Sequence, residues 1–219
     1  QGNAALGNYA LRSNTSGNGS TAIGHLAGYS NTFGVVTAIG VQAAYSNTTG
    51  TGNVAIGNTA MYSNTSGSNS TMVGVDAGNL NTTGGNNAYF GQSAGRTATT
   101  ANNNTAIGMQ SLYSATGGSN TALGYQAGYS MTTGAQNTIL GSFSGNQNGL
   151  DIRTATGYVV LASGSGVPEA YVAGGGASWF QRSNSSNWAV VSDSRIKKNV
   201  KPVTNGLDII SALRPVEFD

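Results

Sequence analysis

The sequence predicts an all-β fold: a parallel β-solenoid of nine coils of about 17 residues, followed by two shorter regions of different character. Two observations carry this reading. Segments in the style Asn-Thr-Ala-Ile-Gly recur nine times, ending at Gly7, Gly24, Gly40, Gly57, Gly74, Gly91, Gly108, Gly124 and Gly141, at intervals of 17, 16, 17, 17, 17, 17, 16 and 17 residues. The residue before each of these glycines is always apolar, and the third residue after it is always Ala or Ser.

Within a copy, each feature has a physical reading. The apolar residue (Leu6, Ile23, Ile39, Ile56, Val73, Phe90, Ile107, Leu123, Leu140) belongs to a short strand that the glycine ends in a tight turn. A second short strand is expected next, with Tyr five residues after the glycine at Tyr29, Tyr45, Tyr62, Tyr113 and Tyr129. Ten residues after it, seven of the nine copies place Gly in a polar Asn-Thr-Thr-Gly turn, where Asn and Thr side chains can bond the backbone. No copy offers the eight or more residues of helical periodicity that an α-solenoid requires. A unit this short cannot bury a core alone and must stack on the next, with backbone ladders along the axis. At about 4.8 Å per strand, nine coils rise roughly 40 Å. One large aliphatic and one or two alanines per coil make a thin interior, so association into a parallel homotrimer is expected to cover further apolar area. Which face points inward, and the handedness, stay open.

Composition excludes several classes. Gly contributes 34 of 219 residues and only 7% are charged, where about 25% is usual. A net charge of +2 makes no electrostatic case for nucleic acid. No apolar run approaches the ~20 residues of a membrane span, so no membrane insertion is expected. There is no Cys, and His25 is the single histidine, so no metal site or cofactor is expected. Beginning with Gln1 inside a repeat, the sequence reads as continuing upstream.

After Gly149 the period stops. Residues 150–192 are expected to form a small β-rich neck: Tyr158 to Ala162 is a strand-like apolar run, Ala170 to Ala173 a second, and Trp179 and Trp188 both fall here. Residues 193–219 begin a new domain. They hold nine of the 16 charged side chains, whereas residues 1–149 hold only Arg12, Asp76 and Arg96. Leu207, Ile210 and Leu213 have helical spacing, and Pro215 stops that helix.

Two stretches carry resemblances. Runs such as Asn120 to Ser130 resemble the repeats of phage tail fibres and the left-handed β-roll heads of trimeric bacterial adhesins. Ser192-Asp-Ser-Arg-Ile-Lys-Lys-Asn-Val200, followed by Leu213-Arg-Pro-Val216, is similar to the start of the intramolecular chaperone domain of phage fibres and endosialidases, a self-cleaving peptidase family. That resemblance implies a domain that helps three chains find register and is then cut off. It places the cut at Ser192–Asp193, with Ser192 as nucleophile and Lys197 as its activator. A Lys serves that role when burial lowers its pKa. Only the opening part of the family's domain is in this sequence.

The resulting expectation is a structural tail-fibre segment of a phage virion, supporting host-surface attachment. Its partners are two further copies of itself, other virion tail proteins, and a glycan or protein receptor on the host. The tyrosines at 29, 45, 62, 113 and 129 are candidate glycan contacts, although a purely structural stack is the simpler reading. Alternatives are a bacterial adhesin head and an ice-binding solenoid, the latter needing a regular Thr array. A glycan-cleaving site needs paired carboxylates, and residues 1–149 offer Asp76 alone.

Overall fold

A computed structural model describes residues 2–175 and 179–181. Nine short strands recur once per repeat: β1 (Ala4–Leu6), β2 (Thr21–Ile23), β3 (Val36–Ile39), β4 (Asn53–Ile56), β5 (Thr71–Val73), β6 (Ala88–Phe90), β7 (Thr105–Ile107), β8 (Thr121–Leu123) and β9 (Thr138–Leu140). Each pairs in parallel with the next, and equivalent residues lie opposite one another throughout: Ala22 on Ala38, Ala38 on Ala55, Ala55 on Met72, Met72 on Tyr89. The chain is therefore the expected parallel β-solenoid, one coil per repeat.

The corner glycine has a specific cause. At Gly57 φ is +133°, and a Cβ there would lie 2.5 Å from the carbonyl oxygen of Gly74 on the next coil. The same approach of backbone to backbone recurs at Gly24, Gly40, Gly74 and Gly91. A side chain at this corner would push two coils apart.

The residues after the corner do not form the expected second strand. They run as consecutive turns, in which the second and fourth residues take positive φ: Gln42 and Ala44, Thr59 and Met61, Gln110 and Leu112. The reversal of every other peptide still sends N–H groups toward neighbouring coils. Thr59 N donates to Val41 O on one side, and Met61 N to Ala77 O on the other. The ladder is thus kept without extended backbone.

Strand alternation places the middle residue inside: Ala22, Ala38, Ala55, Met72, Tyr89, Ala106, Ala122 and Ile139 are buried. A second inward position is the fourth residue after the corner. The two positions share space. Met72 is paired with Gly78 and Tyr89 with Gly95, and a Cβ on either glycine would strike that same Met or Tyr side chain. Where the strand residue is Ala, the turn residue can be large, as in Ala55 with Met61 and Ala106 with Leu112. Where both are small, neighbouring coils fill the gap: Gly128 is lined by Leu112 from one side and Ile139 from the other.

Two columns of buried amides complete the interior. In the first, Asn47 Nδ2 donates to Asn31 Oδ1 (2.8 Å), Asn64 to Asn47 (2.7 Å) and Asn81 to Asn64 (3.0 Å), while each Nδ2 also donates to the Gly carbonyl three residues on. In the second, the residue before the strand accepts from the backbone N–H of the next coil, as Asn87 Oδ1 from Asn104 N and Asn104 Oδ1 from Asn120 N. Most of these buried amides bond one another or backbone and use no ion, while Asn81 Oδ1, at the end of the first column, has no partner. Threonines add an outer column, each Oγ1 donating to the carbonyl of the next, Thr48 to Thr65 and Thr65 to Thr82.

The parallel ladder runs past Gly149. An insertion, β10 (Asn146–Gln147) with β11 (Leu150–Asp151), turns at Asn148 and Gly149, both at positive φ. The chain then returns to stack β12 (Val159–Ala162) in parallel on β9, with Val160 opposite Ile139. Phe143, Ile152 and Met131 fill the coil at this transition. Antiparallel strands β13 (Pro168–Val172) and β14 (Trp179–Gln181) follow in the same sheet, with Tyr171 stacked on Tyr158 and Phe180. The helix expected around Leu207 lies outside the described residues.

Candidate functional site

The solenoid displays its repeated positions as surface columns, and these columns are the candidate functional surface of the described residues. The most pronounced lies on the outer face of the parallel sheet. The expected packing of one large aliphatic per coil into the interior is corrected here. The alanine goes in, and the aliphatic goes out. Leu6 is 70% exposed, Leu123 47% and Ile107 41%, with Ile23, Phe90, Leu140 and Leu161 close to these values. The reason is the period of two. With Gly at the corner and a small residue required inside the coil, the residue between them must face away.

This stripe covers ten strands. Two residues earlier stands a flanking column of Thr21, Thr37, Thr71, Thr105, Thr121 and Thr138, interrupted by Val54 and Ala88. Two residues later, across the corner glycine, stands another exposed column that includes Val41, Asn58, Val75, Gln92, Met109 and Tyr125. No Asp, Glu, Lys or Arg occurs in any of the three columns. Protein surfaces rarely leave apolar residues of such extent unguarded by charge.

The tyrosines form a column of their own. Tyr29, Tyr45 and Tyr62 stack at 5.1 and 5.0 Å with rings within 7° of parallel, and Tyr113 stacks on Tyr129 at 5.1 Å. Each run is headed by an arginine. Arg12 donates to Tyr29 Oη and Arg96 to Tyr113 Oη, both at 3.2 Å, with the guanidinium over or beside the ring. Ring faces inside a run are occupied by one another, leaving edges and hydroxyls outward. A sugar stacked flat on these rings finds a free face only at the end of a run.

Asp76 is held by Thr59 Oγ1 (2.5 Å), Asn79 Nδ2 (3.1 Å) and the Arg96 guanidinium (3.8 Å). This network ties three coils together and brings no second carboxylate beside it. His25 is exposed. Among the described residues no cluster of three His, Asp, Glu or Cys could hold a metal ion. Asp151 and Arg153 form an exposed pair in which the hydrogen bond from Arg153 holds the carboxyl below its ordinary range. Inside the coil, burial pushes the Tyr89 phenol well above its usual range, which the Asn104 amide only partly offsets, and the hydroxyl lacks a hydrogen bond of good geometry.

Ser192, Asp193 and Lys197 lie outside the described residues. Residues 192–219, which include all three, match the family described as chaperone of endosialidase. The match begins at Ser192, where the sequence motif begins. No curated protein and no solved structure gave a significant match. A β-solenoid joined to this segment fits a structural protein of the tail-fibre and endosialidase type.

Sequence reasoning missed the shared core slot and both amide columns. The signals were present: small residues recur in complementary pairs, and an Asn seven residues after the corner glycine recurs through the first five copies, at Asn14, Asn31, Asn47, Asn64 and Asn81.

Proposed function

We propose that this chain is a structural fibre segment that works as a parallel homotrimer, projecting from a phage virion to reach or hold a host surface. The observation that carries the reading is the uncharged aliphatic stripe. Ten rungs at about 4.8 Å make it about 43 Å long, and with its flanks it offers roughly 600 Å² per chain. That is the upper end for a monomer's largest patch and near the ~800 Å² that each partner contributes to a specific interface. A stripe with the period of a solenoid is matched along its whole length by an object of equal period, which is another copy of the chain. Three copies, the number that the chaperone resemblance implies, bring their stripes to a common axis and cover both flanks of each.

The shaft acts mechanically, through ladders and interchain packing. The C-terminal segment acts once, during assembly, with self-cleavage at Ser192–Asp193 by Ser192 and Lys197 in the full-length protein. Host contact at the tyrosine column would use ring edges and hydroxyls.

Native mass spectrometry of residues 1–219 tests the assembly. A three-fold mass is expected, and Ile56→Asp with Ile107→Asp should give folded monomers by circular dichroism and mass. A wild-type monomer at micromolar concentration would overturn the reading. Extended to its natural C-terminus, each chain should end at Ser192, and Ser192→Ala should remain uncut.

A further inference from the structure

The tyrosine column is interrupted where its first run ends. In this part of the chain the fifth residue after each corner glycine reads Tyr45, Tyr62, Asn79, Arg96, Tyr113. Rings within a run are 5.0 to 5.1 Å apart, so the coil of Asn79 leaves a gap of about 10 Å between the Tyr62 ring and the level of Arg96. Asn79 does not fill it, because its Nδ2 is drawn back to Thr59 O and Asp76 Oδ1, both at 3.1 Å. Tyr62 stacks on Tyr45 with one face. Among the described residues no ring or guanidinium lies over the other face.

The coil departs from the repeat in other ways at the same place. Asp76 is the single acid of residues 1–149, and Arg96 beside it is one of two arginines there. Leu80, 38% exposed, stands where the neighbouring coils carry Ser63 and Thr97. The polar atoms around the gap are not used up. Asp76 Oδ1 accepts from Thr59 Oγ1 and Asn79 Nδ2, whereas Oδ2 has only Arg96 Nε at 3.8 Å, beyond hydrogen-bonding distance. A pair serving only to tie coils together would close to about 2.8 Å. Arg96 Nη1 donates to Tyr113 Oη (3.2 Å). Neither Arg96 Nη2 nor Asn79 Oδ1 has a hydrogen-bond partner among the described residues.

We infer that this notch binds one pyranose ring of a neutral glycan; the inference rests on the host-contact reading above and names its site. A pyranose has both properties the notch asks for. One face carries axial C–H groups, which stack on the negative face of an aromatic ring, here the free face of Tyr62. Its rim carries hydroxyls, which donate and accept: they can donate to Asp76 Oδ2 and Asn79 Oδ1 and accept from Arg96 Nη2. Bonds to the two ionised groups are the stronger ones. The charges of Asp76 and Arg96 cancel, which suits a neutral sugar better than an acidic one. An aromatic side chain would also fill the gap, but it brings no donor and would leave the carboxylate and amide oxygens desolvated and unpaired. The notch belongs to neither the aliphatic stripe nor its flanks.

Saturation-transfer NMR on residues 1–219 tests the notch. The probes are the methyl β-glycosides of glucose, galactose and N-acetylglucosamine and the methyl α-glycoside of mannose. At least one should bind with a Kd of about 1 mM, an ordinary efficiency for a ligand of this size, and its axial protons should saturate most strongly. Asn79→Tyr completes the run with the side chain that Tyr62 and Tyr113 supply on nearby coils. It should abolish the signal while far-UV circular dichroism stays unchanged. Asp76→Asn keeps the shape and should weaken binding about fivefold. Tyr62→Leu should weaken it severalfold, and Tyr129→Leu, in the other run, should leave it unchanged. Binding that survives both Asn79→Tyr and Asp76→Asn overturns the inference. So does silence from all four sugars at about 10 mM, ten times the expected Kd. Binding of p-cresol, lost in Asn79→Tyr, in place of the sugars would assign the notch to an aromatic side chain and overturn the glycan reading. A three-fold assembly that binds no sugar leaves the fibre reading standing, and a monomer that binds one overturns the assembly and keeps the notch.

Discussion

Met72 and Gly78 occupy one slot, and exchanging their roles should reveal it. Met72 is fully buried, and a Cβ at Gly78 would strike its side chain. Met72→Ala empties the slot and should cost about 3 kcal/mol, within the range for buried Met→Ala. Gly78→Met alone should cost about 4 kcal/mol: about 1 for placing a side chain at φ +55°, and about 3 for forcing two side chains into space for one. Independent sites would sum to about 7 kcal/mol. The double variant instead recreates the coil before it, where Ala55 is paired with Met61 at φ +56°. It should lose only about 1–2 kcal/mol, giving a coupling of about 5 kcal/mol. Urea unfolding followed by far-UV circular dichroism measures all four proteins. Because coils open locally, hydrogen exchange at the amides of Met61 and Gly78 should report the same order. A double variant within about 1 kcal/mol of the additive sum would refute the shared-slot account.

Other expectations follow from single positions. Gly57→Ala places a Cβ 2.5 Å from Gly74 O and should cost about 3 kcal/mol or more by calorimetry or urea melt. Gly149→Ala, at φ +84° with nothing within 4 Å, should cost about 1 kcal/mol; equal losses would contradict the close-approach explanation. Asn64→Ala removes an amide that donates to Asn47 and Gly67 and accepts from Asn81, for an expected loss of about 3 kcal/mol. Asn81→Ala should lose about 1 kcal/mol less, because Asn81 Oδ1 already lacks a partner, and chemical denaturation distinguishes the two. Tyr89 should make the solenoid sensitive to alkali. Above pH ~10 an unfolded tyrosine loses its proton while the buried one, with its raised value, keeps it. The unfolded state then binds fewer protons, so stability falls by about 1.4 kcal/mol in all between pH 9 and 11. Tyr89→Phe should abolish that slope in urea melts between pH 9 and 11, and a persisting slope would assign it elsewhere.

The sequence by itself determined the coil. Nine glycines at 16- or 17-residue intervals admit one arrangement, in which each repeat stacks on the next at equivalent positions, and the ladder from Ala22 through Ile139 follows it without a slip. The motif from Ser192 was legible too, and the matched family begins at that residue. Only the tertiary structure decided which way each residue of the strand faces. Ala and Ile alternate in either orientation, and hydrophobicity alone favours Ile inside. The interior between turns that approach so closely has room for Ala, and larger residues enter only where the paired turn position is Gly. That limit comes from the distance between two faces of one coil, which no single repeat encodes. The turns after each corner were illegible for a related reason. Positive φ at Gln42, Thr59 or Leu112 opposes local preference and is held by hydrogen bonds to the coils on both sides, partners that exist only once the stack has formed.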